Sequence, residues 1–357
     1  MDWIPNKPLY KYRTPITLTA TPRTGWQFTG WTAAQVNWAD AARRYRLPLH
    51  IAANGYARSD KPVESVVNFT TLFAALSETA TFDPDTLRLV EVDTAGQIVD
   101  GNVPFQFDQA QGYDATTNAV GTLIFLLKGV TPANGVREYD LYFDQADRGL
   151  TPPSFTDLVV RSDATDEEQE SFRVDTTNAT WYYHKFGGGF SSLVDVDGND
   201  WLGFHPTPNT GGGFFRGIPN LVPPNSLPPP YNGGIFHPGK NDVTTVGLAG
   251  GPLKETIRST TGDGQWVLQW EFFPAYARMT MLQKPAGRNY WFLAESTPGG
   301  EGECPSRPCD LESTDFWTLP TGQSASLYDP IGGEFGAPEW IYFSDPDVDG
   351  PSTAVRS

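Results

Sequence analysis

Tyr45-Arg46-Leu47-Pro48-Leu49-His50-Ile51 sets Tyr, Leu, Leu and Ile at every second position. A period of two is the mark of a strand that buries one face. The pattern returns in Val63–Phe69, Leu87–Val92, Val103–Phe107, Gly121–Leu127 and Arg137–Phe143, with turn-forming residues between the runs. Short strands at such spacing predict an antiparallel β-sandwich over residues 37–150. Phe69–Leu76 leaves room for one or two turns of helix. The chain's 36 Gly and 31 Pro among 357 residues oppose a mostly helical fold, because both residues break helix interiors. At 39% hydrophobic residues it is too apolar to be disordered and long enough for two packed domains. His50 lies inside a strand pattern and reads as a structural histidine.

Beyond Thr151-Pro152-Pro153, the stretch Ser162–Glu170 carries five acids in nine residues, and a solvated linker is expected over 151–171. From Phe172 strands resume: Phe172–Asp175, Ala179–Phe186, Trp266–Phe273, Met279–Leu282 and Tyr290–Leu293. These define a second all-β domain, 172–345, more aromatic than the first, with a tail at 346–357.

With 25 Lys and Arg against 42 Asp and Glu, the net charge of −17 repels nucleic acid and anionic membrane surfaces. The longest apolar run, Leu123–Leu127, is far too short to span a bilayer, so no membrane insertion is expected. Met1-Asp2-Trp3-Ile4-Pro5 has neither the basic start nor the apolar core of a signal peptide. Cys304 and Cys309 stand alone, without the further ligands that zinc needs and with two prolines between them. A disulfide pinning a surface loop is favoured over free thiols.

Near the N-terminus, Ile16, Leu18 and Ala20 alternate with threonines, and Gly25-Trp26-Gln27-Phe28-Thr29-Gly30-Trp31 closes the segment. Residues 4–31 resemble the second half of the internalin-type bacterial repeat, a small all-β module of long surface and secreted proteins. The resemblance implies a secreted or cell-surface location and a Met1 lying inside a longer exported protein, with further modules missing. Residues 1–36 are expected to be the remnant of that repeat.

Residues 203–251 hold 11 Gly and 9 Pro, with no strand pattern, yet carry buried-type residues such as Phe204, Phe214, Phe215, Ile235 and Phe236. Loops of this length within a compact domain are usually functional. Asp242 is the one acid there, against Arg216 and Lys240, and two histidines recur in one tripeptide: Phe204-His205-Pro206 and Phe236-His237-Pro238. Paired histidines beside cations suit acid–base work on an anionic substrate. The chain is expected to fold back so that His205, Arg216 and His237 share one cleft.

Two further stretches are informative: Phe215-Arg216-Gly217-Ile218-Pro219-Asn220 followed by Ile235-Phe236-His237-Pro238-Gly239, and the glycine turn Lys185-Phe186-Gly187-Gly188-Gly189 leading to Asp195. Residues 172–345 resemble the galactose-mutarotase-like (aldose-epimerase) family in these segments. The single glycine after Arg216 and the proline after His237 depart from the family pattern. The resemblance therefore implies the fold, a larger β-supersandwich, rather than epimerase activity.

Asp195-Val196-Asp197-Gly198-Asn199-Asp200 alternates oxygen ligands around a glycine, as calcium loops do, and Asp195, Asp197 and Asn199 are candidate Ca2+ ligands. An Asx-type hairpin turn is the alternative. Trp201 is either a sugar-stacking platform or core. Glu271 and Glu295 border aromatic strands and are candidate carboxylates. No Gly-x-Ser-x-Gly elbow, phosphate loop or His-Glu-x-x-His motif is present.

Two functions follow as expectations. The first is a carbohydrate-active enzyme with a groove lined by Tyr183, Lys185, His205, Arg216, His237 and Lys240, with Trp201, Asn220 and Trp291 as further substrate contacts. A lyase on uronic-acid polysaccharide needs a cation on the carboxylate and His or Tyr at the C5 proton; a glycoside hydrolase would use Glu271 and Glu295. The second is a non-catalytic glycan-binding or adhesion module.

Overall fold

The computed structural model describes residues 10–11, 38–202, 204, 220–222, 235–293, 314–319, 321–329 and 341–346. Among these, 54% are strand and 4% helical, and every strand pairing is antiparallel. The all-β expectation holds. The chain divides into two compact units, Met1–Thr156 and Asp157–Ser357.

In the first unit the strands are β1 (Tyr10–Lys11), β2 (Tyr45–Ala52), β3 (Arg58–Asn68), β4 (Phe82–Val92), β5 (Ile98–Val103), β6 (Phe105–Gln109), β7 (Val120–Thr131) and β8 (Val136–Gln145). They form a five-stranded sheet, β1-β2-β8-β4-β5, and a three-stranded sheet, β3-β7-β6. Tyr45, Leu47, Leu49 and Ile51 of β2 meet Leu123, Phe125 and Leu127 of β7 in one core, so the two sheets are the layers of a sandwich. Helix α1 (Phe69–Ala75) begins where the Asn68 side chain accepts the Thr71 N–H at 3.0 Å, and it drops Phe69 and Phe73 into that core. Phe69 stacks on Phe82 with ring centroids 3.7 Å apart.

Prolines fall where the ladder does not need their missing N–H. Pro62 lies on the edge strand β3 and Pro84 in the gap between the Asp83 and Arg88 pairings of β4. Pro48 sits in β2 without breaking its register with β8. His50 pairs with Glu138 at 2.9 Å across the same two strands, a structural role.

Of the residues expected to be a repeat remnant, Tyr10 and Lys11 are among those described. Tyr10 and Lys11 pair with Arg46 and Tyr45, so β1 extends the five-stranded sheet. On that sheet's outer face Trp38 packs edge-on against Tyr142, at 5.6 Å between ring centroids. Its indole N–H reaches the Asp40 and Arg43 carbonyls, while Arg46 lies over its ring at 5.2 Å and pairs with Asp140.

The second unit contains β9 (Val160–Asp166), β10 (Gln169–Asp175), β11 (Ala179–His184), β12 (Gly189–Asp195), β13 (Asn220–Val222), β14 (Val243–Gly250), β15 (Glu255–Thr261), β16 (Val267–Phe273), β17 (Tyr276–Gln283), β18 (Trp291–Leu293), β19 (Phe316–Thr318), β20 (Ser324–Ser326) and β21 (Tyr342–Ser344). Two four-stranded meanders, β9 to β12 and β14 to β17, enclose a core that includes Phe172, Tyr183, Phe190, Ile257, Trp266, Leu268 and Phe272. Arg161 of β9 reaches Glu255 of β15 at 2.9 Å, tying one meander to the other. Smaller sheets pair β13 with β18 and set β19 between β20 and β21.

The acidic stretch at 162–170 is not a linker. It makes the β9–β10 hairpin, in which Asp166 pairs with Gln169 and Phe172 with Asp163. Its charges alternate outward from Phe172 and Val174, which reach the core. Charge density alone could not distinguish a solvated strand face from a tether. Likewise, β14 lies inside the glycine- and proline-rich region expected to lack strands.

The two-residue turn of that hairpin, Glu167 and Glu168, has positive φ at both positions, 45° and 64°. That is the geometry Asn-Gly fills with least strain. Replacing the pair by Asn-Gly should raise stability by about 1 kcal/mol. The urea midpoint of the second unit reports it, and an unchanged or lower midpoint would count against this account of the turn.

Candidate functional site

The centre of the sequence-predicted site is a close contact between two main chains. The turn from β11 to β12 runs through Gly187 and Gly188, and the Gly188 N–H donates to the His184 carbonyl at 2.9 Å. Against this turn lies Ile235–Gly239, whose His237 N–H donates to the Gly187 carbonyl at 2.9 Å. A Cβ on Gly188 would come within 2.7 Å of the Phe236 ring, and one on Gly189 within 2.5 Å of Pro238; one on Gly187 would collide with the His237 carbonyl. Phe204, almost fully buried, closes the contact from the other side, its ring edge-on to His184 at 5.5 Å and to His237 at 6.4 Å. Phe204 and His237 thus meet, while His205 and Arg216, expected to share a cleft with His237, lie outside the described residues.

His184, which sequence reasoning passed over between Tyr183 and Lys185, is the polar residue around which this contact is organised. Its ring is 1% exposed. Nδ1 accepts the Gly239 N–H at 2.9 Å, so the ring proton sits on Nε2, which donates to the Asp166 carbonyl at 3.0 Å. Burial pushes the imidazole down to about 4, against a smaller upward pull from the Asp166 carbonyl. The Asp166 carboxylate takes hydroxyl bonds from Ser191 at 2.6 Å and Ser192 at 2.8 Å. The one signal available beforehand was position: a histidine three residues ahead of a glycine triplet.

The other candidates are dispersed. Tyr183 is fully buried and shares a hydroxyl chain with Ser259 and Thr245, each link 2.8 Å. Burial drives its pKa up, so it is a neutral core phenol rather than an exposed base. His237 is buried with Nδ1 against the Pro238 carbonyl. Glu271 is held by Arg278 at 2.7 and 2.9 Å and by Lys254 at 3.4 Å. Lys185 pairs with Asp163 at 2.7 Å and lies over the Phe172 ring at 4.5 Å. Lys240 is half-buried, and that burial lowers its pKa while Asp242 pulls it up. Burial likewise raises Asp242. The backbones of Asn220 and Trp291 fall in the β13–β18 pair, at opposite ends of its three-residue register. His205, Arg216, Glu295, Cys304 and Cys309 lie outside the described residues.

At the expected calcium loop, the Asp195 carboxylate receives N–H bonds from the Asp197 and Asn199 main chains, both 2.9 Å, from the Asn199 side chain at 3.1 Å and from the Trp201 indole at 2.9 Å. Burial pushes Asp195 upward, but these donors outweigh it and hold the carboxylate below its usual range. The donor set is that of an Asx hairpin, and Trp201 has its polar edge turned to Asp195. Among the described residues no group of three or more His, Cys, Asp or Glu side chains is spaced to hold a metal ion.

A family model described as a divergent InlB B-repeat domain matches residues 4–48. This agrees with the internalin-type resemblance and carries it further, across the Trp38 contact and into β2. Domains of this type are typical of surface proteins. No curated protein matches the chain. Neither finding bears on the mutarotase-like resemblance. No helix among the described residues is long and apolar enough to cross a membrane.

The glycine contact makes a direct prediction. Gly189→Ala should destabilise the second unit by about 1–3 kcal/mol, since neither main chain can retreat without breaking a hydrogen bond. Gly262→Ala, whose Cβ would come no closer than 3.4 Å to the Asp242 carbonyl, should leave the melting temperature nearly unchanged. Equal effects from the two substitutions would remove the special status of the turn.

Proposed function

We propose that the chain is a non-catalytic recognition module, glycan-binding or adhesive, of a bacterial surface or secreted protein. One observation carries this reading: the described candidates for proton transfer are engaged inside the fold. Tyr183 and His237 are almost fully buried, and Glu271 is clasped between Arg278 and Lys254. A general acid or base must come within hydrogen-bond reach of the substrate, directly or through one water. The B-repeat match at residues 4–48 supports the surface setting.

A second reading, a lyase acting on uronic-acid polysaccharide, draws on the meeting of Phe204 and His237. That contact brings the chain directly before His205 beside the His237 loop, as a shared groove with Arg216 would require.

The test uses the full chain on a panel of uronate-containing and neutral polysaccharides. Retention on an immobilised glycan is expected, with neither unsaturated uronate in the ultraviolet nor new reducing ends. Turnover in either channel that disappears in His205→Ala and persists in Glu271→Gln establishes the lyase reading instead. Turnover lost in Glu271→Gln points to a hydrolase, and the module reading fails in both cases.

A further inference from the structure

The seat of His184 has a consequence for pH. Its imidazole bridges two main chains, accepting from Gly239 on one side and donating to Asp166 on the other. The acceptor nitrogen is Nδ1, and a proton placed there would face the Gly239 N–H at 2.9 Å, donor against donor. Neither ring contact is to a carboxylate, so an imidazolium would gain no counter-charge from them. The Asp166 carboxylate is occupied by Ser191 and Ser192.

We propose that Ile235–Gly239 is an acid-released strap: protonation of His184 removes the acceptor that holds Gly239 and frees this segment from the Gly187–Gly189 turn. The geometry favours release of the strap over collapse of the sheet. The strap is held to the turn by the His237 N–H on the Gly187 carbonyl, by the Gly239 N–H on the His184 side chain and by close glycine contacts, and its Ile235 and Phe236 side chains lie in the core. β11, by contrast, is paired along both edges, to β10 and β12. The other ionisable groups on the surrounding elements are Arg161, Asp163 and Asp166 on β9, Glu167 and Glu168 in its turn, Glu170, Arg173 and Asp175 on β10, Tyr182 and Tyr183 on β11, Asp195 on β12, Lys185 beside the glycine turn, and His237, Lys240 and Asp242 on and after the strap. Lys185 is tied to Asp163, and Lys240 and Asp242 act on each other.

The sign of the effect follows from burial. The seated ring takes up its proton at about 4, whereas a released ring does so near the ordinary value of about 6.5. Attachment is therefore at full strength above pH of about 6.5, weakens as the pH falls through that interval, and levels off below about 4. A ring fully freed on release gives about a hundredfold more of the released state at pH of about 4 than at neutrality.

Amide hydrogen exchange of the full chain, corrected for its intrinsic pH dependence, tests this. Peptides covering 235–243 should lose protection by about that factor on acidification, while those of β16 stay protected. His184→Asn places a non-titrating carbonyl oxygen near the position of Nδ1 and should abolish the pH dependence; His237→Gln should retain it. Should His184→Asn fail to fold, NMR of the unaltered protein decides: the His184 ring nitrogens and the Gly239 amide must titrate together. The proposal is overturned if the strap loosens only together with β16, or shows no pH dependence. It is equally overturned if His184→Asn keeps the original profile, if His237→Gln removes it, or if ring and amide titrate apart.

Discussion

Three successive residues without side chains allow one stretch of backbone to lie directly on another in the second unit. Gly187–Gly189 gives Phe236–Gly239 a surface on which carbonyl and N–H groups meet with nothing between them. The remaining features of this end of the sandwich depend on that approach. It brings the Gly239 N–H to a buried imidazole and seats Phe204 over the same ring. It also carries the main chain from the strap into β14, whose Val243 N–H donates to the Phe186 carbonyl at 3.0 Å. The buried hydroxyls and imidazole at the turn are tolerated because they have partners: Ser191 and Ser192 on Asp166, His184 on two main chains.

The core between the two meanders is less uniformly apolar than its aromatic content implies. The hydroxyls of Tyr183, Ser259 and Thr245 form a chain from β11 across to β15 and β14. It crosses the gap between facing sheets by hydrogen bonds, where Phe190 and Trp270 cross it by edge-on ring packing at 4.8 Å. Glu271 belongs to the same economy of satisfied charge, its two oxygens shared between Arg278 and Lys254. Such groups fix the sheets' alignment, because displacing either sheet would leave a buried donor or acceptor without a partner.

That polar seam also explains what was legible in the sequence and what was not. In the first unit the apolar period of two is nearly unbroken, and the strands read from Tyr45–Ile51, Gly121–Leu127 and Arg137–Phe143 coincide with β2, β7 and β8. In the second, β15 reads Glu-Thr-Ile-Arg-Ser-Thr-Thr and points Ser259 inward, so its hydrophobic alternation is absent although its backbone pairs on both sides. The β9 strand was hidden by acids on its solvated positions. At the site, the stretch that carries Phe204 and His237 stood out by its glycines, prolines and buried-type residues, and the two rings pack together. The role of His184 was not, because it depends on a Gly239 amide 55 residues away. Tyr183 and Glu271 drew attention by residue type, but their partners come from neighbouring strands that one-dimensional spacing does not reveal.

Pro48 and Pro62 have a bearing on how copies of such a chain coexist when crowded together. A strand at a sheet margin offers its free N–H and carbonyl groups to any other chain that can lie alongside. The β3 margin carries a bulge at Ser59–Lys61, a lysine and a proline within five residues, each of which spoils it as a template. On the opposite layer, Pro48 sits in β2 without breaking its register with β8 and removes one donor from that strand. There β1 caps the neighbouring residues Tyr45 and Arg46. At these two margins a second copy of the chain meets an interrupted template.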